Sequence, residues 1–166
     1  MKKIVTREYK SQDFEQIVKL TDKVQEYFVS IDKRGYKKPF SSQKDSEEYV
    51  QHALNDVNDM NGAFYVAETN NSIIGFIYGV IISKKDPLHK LTHHSHLEGW
   101  IGLLYVQESY RGQGLGKQLI EKMKDYFKEK DCLSMRLIVD SSNINAINRY
   151  SNLDFETYEI KMTTKL

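Results

Sequence analysis

Apolar positions in the first sixty residues recur at helical spacing, which predicts two helices with one buried face each. Residues 4–8, before the first helix, predict a short strand. Ser11 or Asp13 can cap the first helix, and Asp45 with Glu48 resembles a capping box at the start of the second. The apolar stripe of the first helix is Phe14, Ile17, Val18, Thr21, Val24 and Phe28, and that of the second is Tyr49, Val50, Ala53, Leu54 and Val57.

From residue 63 onwards the pattern changes to the alternation and short apolar runs that are typical of strands. Residues 63–67 and 73–82, joined by a turn, predict a β-hairpin, and residues 100–106 predict a buried strand. A helix follows Gly116, with Leu115, Leu119, Met123, Tyr126 and Phe127 on one face. The remaining predicted elements are a strand at 135–139, a helix at 145–152, and a last strand in which Tyr158, Ile160 and Met162 alternate with Glu159 and Lys161.

The order of these elements predicts an α+β fold with a mixed, mostly antiparallel central sheet and helices on both faces. The hairpin favours antiparallel pairing, whereas the strand, helix and strand over residues 100–139 favour one parallel crossover. The chain contains no internal repeat, low-complexity tract or linker rich in proline and glycine. Residues 1–166 are therefore expected to form a single domain.

Charge and composition narrow the class of partner. The formal net charge is +1, so no basic excess favours nucleic acid or an anionic membrane. No stretch approaches the roughly 20 apolar residues of a membrane span, and the start MKKIVTREYK lacks the apolar core of a secretory signal. The single Cys132 excludes an internal disulfide. We expect a cytoplasmic protein with no nucleic-acid or membrane partner.

The segment RGQGLGKQLI, residues 111–120, places three glycines at the start of a helix, directly after a buried strand and a short polar turn. The first helical turn leaves about four backbone N–H groups without partners, and together with the helix dipole they attract an anion. The dinucleotide motif G-x-G-x-x-G fails because Lys117 stands at its third glycine, and the phosphate-loop motif fails because Gln118 stands at its hydroxyl position. A turn without any ligand is the alternative for this loop alone.

Arg111, Gly114 and Gly116 fit the spacing of Arg or Gln, two residues, Gly, one residue, and Gly or Ala. This resembles the pyrophosphate loop of the GNAT superfamily of acyl-CoA-dependent N-acetyltransferases. The second motif of the family, Asn-x-x-Ala-x-x-x-Tyr-x-x-x-Gly-Phe, is similar to a downstream set: Asn143, Ala146, Tyr150 and Phe155. The resemblance implies a GNAT-like acyl-CoA N-acyltransferase fold that uses acetyl-CoA as co-substrate and no metal.

The resemblance also implies which residues contact the coenzyme. The end of the strand before the loop would pair its backbone with the pantetheine arm, and the N–H groups of the loop would hold the pyrophosphate. Asn143 would hydrogen-bond the pantetheine, with Ala146 and Arg149 nearby. The strand and loop contacts are expected at Leu104, Tyr105, Val106, Arg111, Gly112, Gln113, Gly114, Leu115, Gly116 and Lys117.

Tyr150 matches the general acid of the family, which implies that its phenol protonates the leaving thiolate. The N–H of Val106 is a candidate for steadying the oxyanion. From the residues alone, a core aromatic is the alternative for Tyr150. Asp154 stands where the family usually has glycine before Phe155, and we expect it to adopt the same left-handed conformation.

The base that would deprotonate an amine is less well defined. Many members of the family carry a carboxylate at the strand position that Gly102 occupies here. Glu98 has the same strand parity as Gly102 and Leu104, so it is expected to share their face and is the candidate catalytic carboxylate. A solvated acid at the strand end is the alternative for Glu98, and the base could instead be a water chain or one of His93, His94 and His96.

Two further signals are interpreted conservatively. His89, His93, His94 and His96 could suggest a metal, but no cysteine lies nearby and we expect none. The basic run of Lys33, Arg34, Lys37 and Lys38 is either a solvated loop or a rim that receives an anionic acceptor.

The expected function is transfer of an acetyl group from acetyl-CoA to a primary amine, by direct attack in a ternary complex. The acceptor would be a small molecule or a peptide. The alternatives are an acyl-CoA-binding sensor without turnover and a peptide N-terminal acetyltransferase. A homodimer is left open.

Overall fold

The computed structural model describes residues 3–83, 91–92 and 94–164. Its strands are β1 (Val5–Glu8), β2 (Ala63–Thr69), β3 (Ser72–Ser83), β4 (Leu97–Val106) and β5 (Cys132–Leu137). Its longer helices are α1 (Phe14–Ile31), α2 (Gln43–Asp59), α3 (Leu115–Glu129) and α4 (Ile144–Ser151). None of the helices in these residues is long and apolar enough to cross a membrane.

The described strands form one sheet in the order β1-β2-β3-β4-β5. The first four strands pair antiparallel, and β4 pairs with β5 in parallel through the crossover helix α3. The turn between β2 and β3 is made by Asn70 and Asn71, which both have positive φ, at 49° and 61°. The predicted mixed, mostly antiparallel sheet is confirmed.

A hydrophobic cluster covers each face of the sheet. On one face, α1 and α2 bury side chains such as Ile17 and Val50 against Phe76. On the other face, α3 buries Leu119 and its neighbours against Ile77. We call these the α1/α2 face and the α3 face. The prediction of helices on both faces is confirmed, because the apolar stripes of α1 and α2 pack on one face of the sheet and that of α3 packs on the other.

The last predicted strand is not formed. Residues 155–164 have neither helix nor strand structure, and Tyr158, Ile160 and Met162 are each at least 80% exposed. Alternation states which side chains would share a face, but a strand also needs a neighbouring edge to pair with. The apolar pattern therefore did not suffice to place this segment in the sheet.

The predicted capping bonds of both helices need correction. Ser42 caps α2 by accepting from the N–H of Asp45, whose carboxylate accepts from the N–H of Ser41, so the capping pair is shifted from Asp45 and Glu48. The Asp13 side chain makes no cap bond to α1 and accepts from the Lys10 N–H instead. The pattern located the helices correctly, but short polar residues at neighbouring positions compete for the capping role.

Candidate active site

The parallel strands β4 and β5 separate before β4 ends. Their pairing stops at Ile101 and Leu137, whereas β4 continues to Val106 and pairs there with β3 alone. We call the opening beside residues 102–106 the cleft, and its closed end after Ile101 the apex. The N–H of Gln107 donates to Ile74 on β3 at 2.8 Å. In an antiparallel ladder the direction alternates, so the backbone groups of Leu104 and Val106 point into the cleft.

A β-bulge at the apex changes which face each β4 side chain occupies. The register shifts between the pairs Gly79–Ile101 and Tyr78–Leu103, which leaves Gly102 as the extra residue. Leu104 consequently packs on the α3 face, although a Cβ on Gly102 would point at Tyr78 on the α1/α2 face. The expectation that Glu98, Gly102 and Leu104 share a face is therefore wrong for Leu104.

The glycine loop leaves a row of backbone donors free at the outer end of the cleft. Within the described residues, no hydrogen bond is formed by the backbone N–H groups of residues 112–117. The flanking groups are used, because the N–H of Arg111 donates to Glu108 and that of Gln118 donates to Gly114. The free donors lie at the N-terminus of α3, where the helix dipole is positive. This is the arrangement that binds an anion.

The positions in the loop are occupied by glycine for two different reasons. Gly112 and Gly114 have φ of 79° and 78°, a region that other residues rarely adopt. Gly116 has no such conformation, and a Cβ there would meet only a Val106 methyl at 3.9 Å. Neither the backbone nor the packing requires glycine at 116, where it weakens the helix by about 0.5–1 kcal/mol relative to alanine. A ligand that approaches the backbone closely would explain it.

The charged and polar side chains of the loop mostly fold onto the protein. Arg111 donates through Nε to the Val106 carbonyl at 3.0 Å, and its guanidinium lies over the Tyr105 ring. Gln113 donates to the Ser109 carbonyl, and Lys117 pairs with Glu121 on the exposed side of α3. The loop therefore offers backbone groups rather than side chains to a ligand, with Leu115 buried beneath it.

Asn143 forms the start of α4 and is buried. Its Oδ1 accepts from the Ala146 N–H at 3.2 Å and from the Tyr27 hydroxyl at 3.0 Å. These bonds hold the carbonyl end of the amide, so its NH₂ group is the end left to donate. Ala146 is half-buried beside it, and Arg149 lies exposed in the last turn of the helix.

Tyr150 lies on the α3 face, where it packs against the core cluster. Burial raises the pKa of its phenol above the ordinary value, and the charge of Arg149 only partly opposes this. The helix ends as predicted, since Asp154 has a φ of 63°. The N–H groups of Phe155 and Asp154 bond back to Tyr150 and Ser151, the hydrogen-bond pair of a Schellman motif.

Glu98 is engaged by its neighbours on β5. Its carboxylate accepts from the Ser134 hydroxyl at 3.2 Å and lies 3.0 Å from Nε of Arg136. The role of Glu98 as a base stays a prediction. His89 and His93 lie outside the described residues, and His94 and His96 are exposed. Among the residues described, no three His, Cys, Asp or Glu side chains are grouped as metal ligands.

A cluster that the sequence did not reveal anchors the basic run. Asp140 accepts from Arg34 at 3.0 Å, from Lys37 at 3.1 Å and from the Ser142 hydroxyl at 2.7 Å. The hydroxyl and N–H of Ser142, followed by Lys37, hold the pKa of Asp140 well below its usual range. The only sequence signal is the spacing of Asp140 and Ser142, which is typical of an Asx turn.

The sequence is similar to known acetyltransferases. The sequence model of the Acetyltransferase (GNAT) family matches residues 24–155. N-alpha-acetyltransferase 30 of Saccharomyces cerevisiae is 34% identical over 92 residues, which are 55% of this chain and 50% of that protein. The protein of the same name from Dictyostelium discoideum is 38% identical over 81 residues, 49% of this chain and 41% of that protein. The matched stretch is thus about half the length of these relatives or less.

The fold is also similar to solved structures. A mutant form of the Bacillus halodurans protein BH1408 covers 98% of this chain and 99% of its own, with a TM-score of 0.80 and 20% identity. AAC(6')-Iy, in complex with the bisubstrate analogue CoA-S-monomethyl-acetylneamine, covers 99% and 98% with a TM-score of 0.69 and 19% identity. At these identities the likeness concerns the fold alone.

Proposed function

Because the chain belongs to the GNAT family of acetyltransferases, we propose that it transfers the acetyl group of acetyl-CoA to a primary amine by direct attack. The observation that carries the proposal is the row of free N–H groups over residues 112–117 at the mouth of the cleft. A diphosphate supplies acceptor oxygens for such a row. Open space at Gly112 and Gly114 lets it come close.

The cleft suits the arm of the coenzyme as well. The backbone of Leu104 and Val106 faces the opening with no neighbouring strand, so an amide-bearing chain can pair with it like an added strand. The free NH₂ group of Asn143 would donate to the same arm from the start of α4. These contacts orient the thioester toward the apex, where residues from both faces of the sheet can reach it.

Acetyl transfer from a thioester requires an acid beside the leaving sulfur. When the amine nitrogen attacks the thioester carbon, the C–S bond breaks and a thiolate leaves. The Tyr150 phenol would donate its proton to that sulfur, and its raised pKa keeps it protonated at neutral pH. The Val106 N–H, which points into the cleft, would donate to the carbonyl oxygen as negative charge develops there.

Among amine acceptors, we propose a polypeptide α-amine. Its reference pKa near about 7.7–8.0 leaves roughly a tenth of it neutral at pH 7, whereas an alkylamine near about 10.4 is neutral at only about one part in a few thousand. An α-amine therefore needs less help from a base, and Glu98 is paired with Arg136. The relatives named N-alpha-acetyltransferase 30 support the same choice.

Calorimetry with acetyl-CoA tests the coenzyme site. We expect clear binding by the wild type and a strong loss in Gly114→Arg, because a long side chain at a φ of 78° would cover the free donors. Lys124→Ala, an exposed change further along α3, serves as the matched control. Equal affinity in wild type and Gly114→Arg would refute the assignment of the loop.

Release of free coenzyme A thiol tests turnover and the acceptor class together. Synthetic peptides with free N-termini are compared with the same peptides blocked at the N-terminus, with polyamines and with aminoglycosides. Turnover confined to the free peptides supports the N-terminal reaction, and turnover confined to polyamines or aminoglycosides identifies a small-molecule enzyme. Binding of acetyl-CoA without turnover across the panel would favour the sensor.

A further inference from the structure

A tyrosine from the neighbouring strand occupies the apex of the cleft. Gly102 has no side chain, and the space that its Cβ would take is filled by the ring of Tyr78. The Tyr78 hydroxyl oxygen lies 2.7 Å from that point. The hydroxyl therefore stands beside the first residue of β4 that β5 leaves unpaired. It faces the α1/α2 side of the sheet, opposite the side on which Tyr150 packs.

A second phenol, that of Tyr49, lies close to Tyr78 and reaches the protein surface. Its ring stacks on Phe64 with centroids 5.7 Å apart. Its side chain and that of Tyr49 line the same small space beside Leu103, and burial, with Tyr49 nearby, raises the pKa of the Tyr78 phenol. Tyr49 is 40% exposed, so its own hydroxyl can exchange protons with water. The Tyr49 phenol therefore lies between Tyr78 and solvent.

The outer end of this pair of phenols adjoins a cavity that suits a cation. Phe40, whose ring lies 5.7 Å from that of Tyr49, lines a cavity of about 690 Å³ between α1 and the start of α2. The charged side chains that line the same cavity carry a net negative charge: Glu15, Lys19, Asp22, Glu26 and Glu47. Their net negative charge attracts a protonated amine toward this side of the sheet.

We infer that Tyr78 is the catalytic residue on the acceptor side, where its hydroxyl oxygen accepts the N–H of the attacking amine. The inference rests on the proposed function. As the N–C bond forms and the C–S bond breaks, the amine proton passes to the Tyr78 oxygen. Tyr78 gives its own hydroxyl proton to Tyr49, which releases one to water. The departing sulfur receives its proton from Tyr150, which takes one back from water, so the protons balance over one turnover.

Packing alone does not account for the hydroxyl. A phenylalanine ring would fill the space beside Gly102 and stack on Phe64 equally well. A buried hydroxyl loses its hydration. When its neighbour is another phenol that water reaches, the hydroxyl adds little net free energy of folding. The oxygen of Tyr78 is therefore the part of the side chain that calls for a function.

Tyr78→Phe tests the inference, because it removes the oxygen and keeps the ring. We expect kcat/KM with the best free-N-terminus peptide to fall about a hundredfold, the lower end of the usual range for proton-transfer groups. The affinity for coenzyme A and the unfolding midpoint should stay at the wild-type values. The matched control is Tyr65→Phe, a buried strand tyrosine with a raised pKa on the opposite face, which should leave turnover unchanged.

Turnover by Tyr78→Phe within twofold of the wild type would overturn the inference and leave the proposed function intact. If Tyr78→Phe unfolds or no longer binds coenzyme A, Tyr49→Phe decides instead. A fall in turnover of about tenfold supports proton transfer from Tyr78 through Tyr49, and unchanged turnover overturns the inference. A wild type that binds acetyl-CoA but acetylates no amine refutes the proposed function, and the inference with it.

Discussion

The rings of Tyr150 and Phe155 meet edge to face, with centroids 5.6 Å apart and planes at 65°. This contact closes the turn that ends α4, in which the left-handed residue is Asp154. A hydrophobic contact between these two positions commonly accompanies a Schellman motif. The turn that ends the helix therefore also fixes the ring of the proposed general acid.

Substitutions at Asp154 should affect stability according to backbone conformation. Asp154→Gly should be neutral or stabilise the protein by up to about 1 kcal/mol, since glycine adopts a φ of 63° without strain. Asp154→Val should lower the free energy of unfolding by about 1–2 kcal/mol. Urea unfolding measures both changes, with Glu156→Val as the exposed control. Equal stability of the glycine and valine variants would contradict the left-handed turn.

Tyr150→Phe should separate catalysis from binding. We expect a fall in kcat of about a hundredfold with no change in the affinity for coenzyme A. Because burial raises the pKa of the phenol above its ordinary value of about 10, the acid is lost only when the pH rises through that higher value. Between pH 7 and 9, the pH profiles of kcat for the wild type and for Tyr150→Phe should therefore have the same shape. A decline in the wild type that the variant lacks would contradict the assignment of Tyr150 as the acid.

Gly116→Ala should move stability and coenzyme affinity in opposite directions. The added Cβ meets only Val106 at an ordinary contact distance, so the helix gains about 0.5–1 kcal/mol from the better propensity of alanine. The same methyl group would crowd a diphosphate on the free N–H groups, and affinity for coenzyme A should fall. Urea unfolding and calorimetry measure the two effects on one sample. A rise in stability with unchanged affinity would mean that no ligand approaches Gly116.

Local signals predicted the parts of the site that depend on local backbone. The free donors of the glycine loop follow from glycines at a helix start, and the conformation of Asp154 follows from its place after a helix. The antiparallel hairpin and the parallel crossover follow from element order and connection length. These features needed no knowledge of distant contacts, because their causes lie within a few residues of each other.

Features created by distant contacts could not be predicted in this way. Alternation assumes a regular strand, so the bulge at Gly102 put Leu104 on the face opposite to the expected one. The filling of the Gly102 space by Tyr78 depends on the register between two strands. The contacts of Asp140 with Arg34 and Lys37 join residues more than a hundred positions apart, 106 and 103 respectively. Each depends on pairing that a single strand or helix does not encode.

Asp13→Asn should destabilise the protein without affecting coenzyme affinity. Asp13 is 2% exposed, and its carboxylate accepts hydrogen bonds from both terminal nitrogens of Arg7, at 2.7 and 2.9 Å. Removing one partner of a buried pair costs about 3 kcal/mol. Arg7 also holds the pKa of Asp13 below its ordinary value, so the stabilisation is present above about pH 4 and is lost as the pH falls further.

Urea unfolding at pH 7, 5 and 3 measures that loss. The wild type should lose more stability between pH 5 and 3 than Asp13→Asn does, because the variant has already lost the carboxylate. Asp125→Asn, an exposed change on α3, should follow the wild type. Parallel pH curves for wild type and Asp13→Asn would show that Arg7 does not act on Asp13 in this way.

Asp140→Asn should loosen the segment between α1 and α2. Its carboxylate holds Arg34 and Lys37, whose side chains are 43% and 33% exposed, so global stability should fall by only about 1 kcal/mol. Amide hydrogen exchange should accelerate over residues 32–38, because the contact that fixes them is lost. Since the pKa of Asp140 lies well below its usual range, wild-type protection should be constant from pH 5 to 8 after correction for intrinsic exchange. Asp59→Asn provides the exposed control, and unchanged exchange in Asp140→Asn would show that the ion pairs do not hold the segment.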